Sequence, residues 1–192
     1  MRTDSRDLLV VQDEISAVTS LGERPLEQPQ PVDTSVATAP NKDVKAPDLH
    51  EAIGTLFRAA RDERFEDGVD SEFARNLVFF IQEYASEAMK VIKALIWNEQ
   101  VDPEVASEAL RWLGRIEDPE TYQERLWLLE ASLFASSPAV RDGAGLGLAS
   151  LDDPDAITYL RQAIERETYP PLRRYLGQTL EQLEDTLRCR SS

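Results

Sequence analysis

Three glycines at alternate positions, Gly143, Gly145 and Gly147, interrupt the stretch SSPAVRDGAGLGLASLDD. Glycines so clustered can do one piece of chemistry: at a strand-to-helix turn they let backbone amides close on a phosphate. The context argues against it. They lie inside an apolar-periodic run between Val140 and Leu151, and Leu148 stands where a dinucleotide fingerprint needs its last glycine. Inside a helix each glycine costs on the order of 1 kcal/mol relative to alanine, so close approach by a neighbouring helix is the expected compensation. No nucleotide site is expected.

The remaining reactive groups are sparse. His50, followed by Glu51, is the one histidine, and Cys189 the one cysteine. Together they supply too few ligands for zinc, no Cys-His or Ser-His-Asp set, and no intramolecular disulfide framework. The terminal CRSS places Cys189 as in a prenylation box, but Arg190 and Ser191 stand where aliphatic residues belong. The acidic pairs Glu117-Asp118 and Asp152-Asp153 fall at helix-cap positions, and capping explains them. No catalytic residue, metal or cofactor is expected.

The totals point away from other partners. Of 192 residues, 21 are Lys or Arg and 36 are Asp or Glu, a net charge of −15. Nucleic acid and anionic membrane are repelled by such a surface, whereas a basic protein is attracted. The longest early apolar run, LLVV, is too short for an export signal, and no run approaches the ~18 residues of a span. A cytoplasmic protein is expected. The sequence leaves its oligomeric state open.

The prolines divide the chain. Residues 22–46 hold four of them and no aromatic residue, which describes a disordered linker. Before it, residues 1–21 place Leu8, Val11, Ile15 and Val18 at spacings of 3, 4 and 3, a short amphipathic helix that could dock on a partner or fray. Residues 47–187 are expected to form the folded domain and 188–192 a tail. There Pro103, Pro119, Pro138 and Pro154 each follow Asp or Ser and open an apolar-periodic run, the mark of a helix start. The periodicity predicts helices near 48–66, 71–84, 86–98, 103–116, 119–134, 138–151, 154–167 and 170–187, and no strand.

A shift of 35 residues lays DPEVASEALRWLGRIEDPE on SPAVRDGAGLGLASLDDPD. Pro103, Val105, Ala109, Leu113, Asp118 and Pro119 meet Pro138, Val140, Ala144, Leu148, Asp153 and Pro154. A third copy, YPPLRRYLGQTLEQLED, keeps Leu172, Leu176, Leu180, Leu183 and Asp185 in register, and a weaker one near residue 71 keeps Phe73, Leu77, Ile81 and Tyr84. A two-helix unit of this period marks an α-solenoid, whose helix pairs bury their faces on one another. Over residues 70–185 the pattern resembles the HEAT-like repeat family of the type found in bilin lyases. The resemblance implies an all-α, short right-handed superhelical solenoid of antiparallel helix pairs. It also implies that loop aspartates Asp118 and Asp153 and first-helix arginines Arg141 and Arg173 join neighbouring repeats, with a break where Ala106 replaces the arginine. Two kinds of enzyme on such repeats need residues this chain lacks, several His-Glu pairs for a di-iron centre or a basic face for DNA, while a bilin-lyase-like activity stays open.

The helix PETYQERLWLLEASLF is apolar on more than one face, with Leu126, Leu129 and Leu133 on one stripe and Trp127, Ala131 and Phe134 on another. Burial within the stack is the first reading of Trp127 and Phe134; an exposed anchor is the second. Trp97 and Trp112 are expected in the core. Gln123, Glu130, Thr158, Arg161, Gln162 and Glu165 are expected to face solvent on the second helices, where a partner binds. The functional expectation is a non-catalytic protein-binding scaffold or adaptor with a tethered N-terminal helix. The alternatives are an acidic inhibitor or immunity-type protein for a basic partner, and a lyase-like or lyase-accessory protein handling a tetrapyrrole.

Overall fold

The computed structural model describes residues 46–65 and 70–191, and every regular element among them is helical. Leu8, Val11, Ile15, Val18 and nearly all of the 22–46 segment lie outside the described residues. The elements are α1 (Ala46–Ala59, extended by a 3-10 turn at Ala60–Asp62), α2 (Glu72–Trp97), α3 (Pro103–Leu113), α4 (Tyr122–Ser132), α5 (Pro138–Leu151), α6 (Ile157–Arg166) and α7 (Pro170–Arg190). A second 3-10 turn, Pro154–Ala156, leads into α6.

The helix starts follow from capping chemistry. Ser71 Oγ accepts from the Ala74 amide, and the Asp102 and Asp153 carboxylates accept from the Glu104 and Asp155 amides just before and after their prolines. The expected boundary between 71–84 and 86–98 is also real. Element α2 runs through it, but Ala85 takes φ 42° and ψ −121°, which breaks the helical course there. Residues before the bend serve α1: Phe57 meets Phe73 edge-on at 5.1 Å. Residues after it serve α4, through a 2.8 Å ion pair from Lys93 to Glu124.

The first helices of the repeats, α3, α5 and α7, lie side by side, with α4 against α5 and α6 against α7. One apolar core runs through them, from Leu49, Ile53 and Phe57 on α1 to Leu172, Leu176 and Leu183 on α7. The glycines set its closest approach. A Cβ on Gly147 would come within 2.5 Å of the Leu110 carbonyl oxygen and 2.4 Å of Leu129 Cδ2, and one on Gly143 within 2.4 Å of the Ser107 carbonyl oxygen. Gly114 answers from the other helix, where a Cβ would stand 2.0 Å from the Gly147 carbonyl oxygen. Backbone lies against backbone at the α3–α5 crossing, which only glycine permits. The opposing atoms are carbonyls of two helices and cannot step aside.

The loops are tied by buried polar groups. Arg125, 1% exposed, donates from Nη1 to the Leu113 carbonyl (2.7 Å), from Nη2 to the Asp118 carbonyl (2.8 Å) and from Nε to Thr121 Oγ1 (3.1 Å). Asp118 in turn accepts from the Thr121 hydroxyl and amide. Between the next repeats, Arg141 forms a two-pronged pair with buried Glu167 at 2.8 and 3.1 Å, and Arg173 donates to the Glu167 carbonyl. The arginines therefore meet a glutamate, not the loop aspartates that the resemblance implied. Of those aspartates, Asp153 does reach the preceding pair, accepting from the Tyr122 hydroxyl, whereas Asp118 caps its own loop. Glu167 sits at a bend where its own carboxylate also accepts from the Tyr169 amide, so it satisfies two arginines and a backbone donor at once.

Two glycine-to-alanine substitutions separate packing from propensity. Gly114→Ala is expected to lower stability by more than about 2 kcal/mol, because the new methyl meets immobile backbone. Gly177→Ala on α7, where nothing lies within 4 Å, is expected to raise it by about 0.5–1 kcal/mol. Urea midpoints of the two variants check both signs.

Candidate partner-binding cleft

Helix α2 ends at Trp97, and four residues earlier on the same face stands Lys93. Ile92 and Ile96, the neighbouring i,i+4 pair, take the core positions and are buried. Trp97 is consequently turned outward and is 60% exposed. It lies against Trp127 of α4, itself 50% exposed, with ring centroids 5.7 Å apart at 32°. The Lys93 ammonium stands 5.7 Å from the centroid of the Trp127 ring while it pairs with Glu124. Two tryptophans and a cation thus bridge α2 and α4 at the surface.

Beside this pair opens a cleft of about 500 Å³. Its walls are Ile96, Trp97, Val101 and Ala106 on one side and Ala131, Phe134 and Val140 on the other, with Glu99 and Ser136 at polar positions. Glu99 follows the end of α2 with φ 53° and accepts from Ser136 Oγ at 2.6 Å, which fastens the α2–α3 connection to that between α4 and α5. Phe134, 38% exposed, has the Arg166 guanidinium 5.2 Å from its ring centroid.

The expected site residues scatter around this feature. Trp127 and Phe134 take the exposed reading, and burial in the core is not what the structure shows for them. Trp97 corrects the core expectation as well; its alignment with Lys90 and Lys93 at spacings of 3 and 4 is the sequence signal that it belongs to a solvent face. Trp112 is half-buried against the core, its indole donating to buried Glu108 at 2.7 Å. Gln123, Thr158, Gln162 and Glu165 are exposed, but none lines the cleft. Arg161 is exposed and engaged by Glu184 of α7 at 2.6 Å. Glu130 is corrected: it is 8% exposed and presents no surface to a partner. Although Trp127 and Phe134 flank it in sequence at spacings of 3 and 4, its side chain is covered. Glu99, Val101 and Arg166 carried no signal that sequence alone would single out.

Burial, with the Asp155 and Asp153 carboxylates nearby, pushes the Glu130 carboxyl up to about 7. The folded state therefore holds this proton more tightly than the unfolded chain. Stability from this group is full below about pH 4.5 and is lost as pH rises to about 7. Glu130→Gln is expected to remove that loss and to raise stability at pH 8 by about 1–3 kcal/mol, with little change at pH 5. Thermal midpoints at the two pH values check it.

Among the described residues no group of three or more His, Cys, Asp or Glu is placed to hold a metal ion, and no helix is long and apolar enough to cross a membrane. Neither the comparison with curated proteins nor that with solved structures returns a match. The family comparison does: residues 89–181 match the model of HEAT repeats, a span that begins in the second half of α2 and ends within α7. With its paired helices, its recurrent Asp-Pro caps and this match, the region of residues 89–181 is built of HEAT repeats.

Proposed function

We propose that this chain is a non-catalytic protein-binding scaffold that holds its partner at the cleft beside the Trp97–Trp127 pair. HEAT repeats commonly mediate protein interactions, and that general role supports the reading. The single observation behind the choice of face is the pair itself. Trp97 and Phe134 line one apolar depression, half-exposed Trp127 lies against Trp97, and large aromatic side chains of this kind dominate the energetics of protein interfaces.

The segment at 1–21, with Leu8, Val11, Ile15 and Val18 at helical spacing, supplies a second contact on a tether. A flexible 25-residue linker would let it range about 25–30 Å, enough to recruit an assembly that the repeats then engage. Gln123, Thr158, Gln162 and Glu165, exposed on the second helices and outside the cleft lining, would contribute polar contacts of their own. Such contacts are worth little individually.

The test is affinity capture from a native lysate read by mass spectrometry, with the full chain, with Trp127→Ala, and with a chain lacking residues 1–46. Trp127→Ala is expected to reduce recovery of the partner by at least about 10-fold. Undiminished recovery with both Trp127→Ala and Trp97→Ala overturns the cleft as the binding face. Loss on truncation alone assigns recruitment to the tethered segment.

A further inference from the structure

Resting on the cleft as the binding face, we infer that its occupant is a basic amphipathic segment of a partner protein. That segment inserts a large apolar side chain between Ile96, Val101 and Val140 and sets a lysine or arginine against Glu99.

The walls are apolar and the volume, about 500 Å³, accommodates more than one large side chain. The one charge in its lining is negative. No lysine or arginine lines the cleft, and Glu99 is its one lining carboxylate. Ser136 occupies Oε1 of Glu99, and among the described residues Oε2 takes no hydrogen bond. Both α2 and α4 finish here, so the negative ends of two helices border the same depression. The start of α3 is already answered by the Asp102 carboxylate.

Of the nearby cations, Arg141 is paired with Glu167 and donates to the Ala135 and Ser136 carbonyls, Arg58 is paired with Glu51, and Arg61 lines with Glu99 the depression on the far side of that carboxylate. Lys93 is paired with Glu124 at 2.8 Å and stands over Trp127, and Arg166 stands over Phe134. These contacts show the aromatic faces accepting cations from within the chain. A partner's arginine would find the same kind of face on Trp97, which is 60% exposed and takes no cation of its own among the described contacts. Over longer distances the net charge of −15 draws a basic segment toward the surface and repels an acidic one. The opposing feature is the start of α5, where Ser137 provides no side-chain cap and the first turn holds no acidic residue.

The experiment uses the full chain and two synthetic helical peptides. Both carry Leu and Phe at i, i+4 and i+7; one has lysines on its polar face and the other glutamates. Anisotropy of the labelled peptide and tryptophan emission of the protein are read in low salt. The lysine peptide is expected to bind at least about 10-fold tighter than the glutamate peptide. Glu99→Gln is expected to weaken it about 3–10-fold, whereas Glu181→Gln, on the exposed side of α7, changes it by less than about twofold.

Equal weakening by Glu99→Gln and Glu181→Gln would reduce the attraction to diffuse charge and overturn the proposal. So would binding of neither peptide. Tighter binding of the glutamate peptide, lost in Trp127→Ala, overturns the basic occupant while leaving the cleft as the binding face. Lysine-peptide binding that survives both Trp127→Ala and Phe134→Ala overturns the two together.

Discussion

The approach of Gly114 to Gly147 fixes the spacing on which the other contacts of the domain depend. With a Cβ at either position the α3 and α5 backbones could not lie as they do, and Leu129 of α4 could not seat against Gly147. Three helices meet at one residue. The thin crossing accounts for an otherwise unfavourable choice, since glycines inside α5 weaken that helix taken alone. Packing of its buried face against α3 and α4 offsets that weakness, as tertiary burial does for most helices in proteins.

Crossings so tight leave little room for error in the loops, and buried polar groups hold them. Arg125 occupies the position that Leu160 takes one repeat later, yet it is satisfied because its guanidinium reaches two carbonyls and a hydroxyl. Burial lowers the affinity of Arg125 for its proton, with Asp118 opposing that effect, but an arginine remains charged throughout the working pH range. Arg141 and Glu167 form the corresponding tie between the later repeats. There the hydrogen bond from Arg141 holds the Glu167 carboxyl below the usual carboxylate range despite its burial. Removing either partner would leave the other charge unpaired, which is strongly unfavourable for the buried Glu167.

Much of the fold was readable in the residues themselves. Prolines after Asp or Ser marked the helix starts, alternate glycines marked the crossing, and the expected boundary between 71–84 and 86–98 fell where Ala85 bends the backbone. The surface was less readable, because facing is decided by a neighbour's position as well as by a helix's own period. Trp97 falls 100° beyond Ile96 at the end of its helix, where the core no longer covers that side. Glu130 shares a stripe with two exposed aromatics and is buried all the same. Glu99 became notable only when two distant connections met at Ser136, a contact across 37 residues that no local pattern reports.

The bend at Ala85 has a consequence for how the molecule could change. Residues 72–84 belong to the α1 layer and residues 86–97 to the α4 layer, so the bend acts as a phase coupling between two rotors. Adding or removing one residue there would turn the second rotor by about 100° relative to the first. Ile92 and Ile96 would leave the core, and Trp97 would swing away from Trp127. Length variation in this segment is therefore admissible only in whole turns, which makes Ala85, a non-glycine residue at positive φ, the keeper of its reading frame.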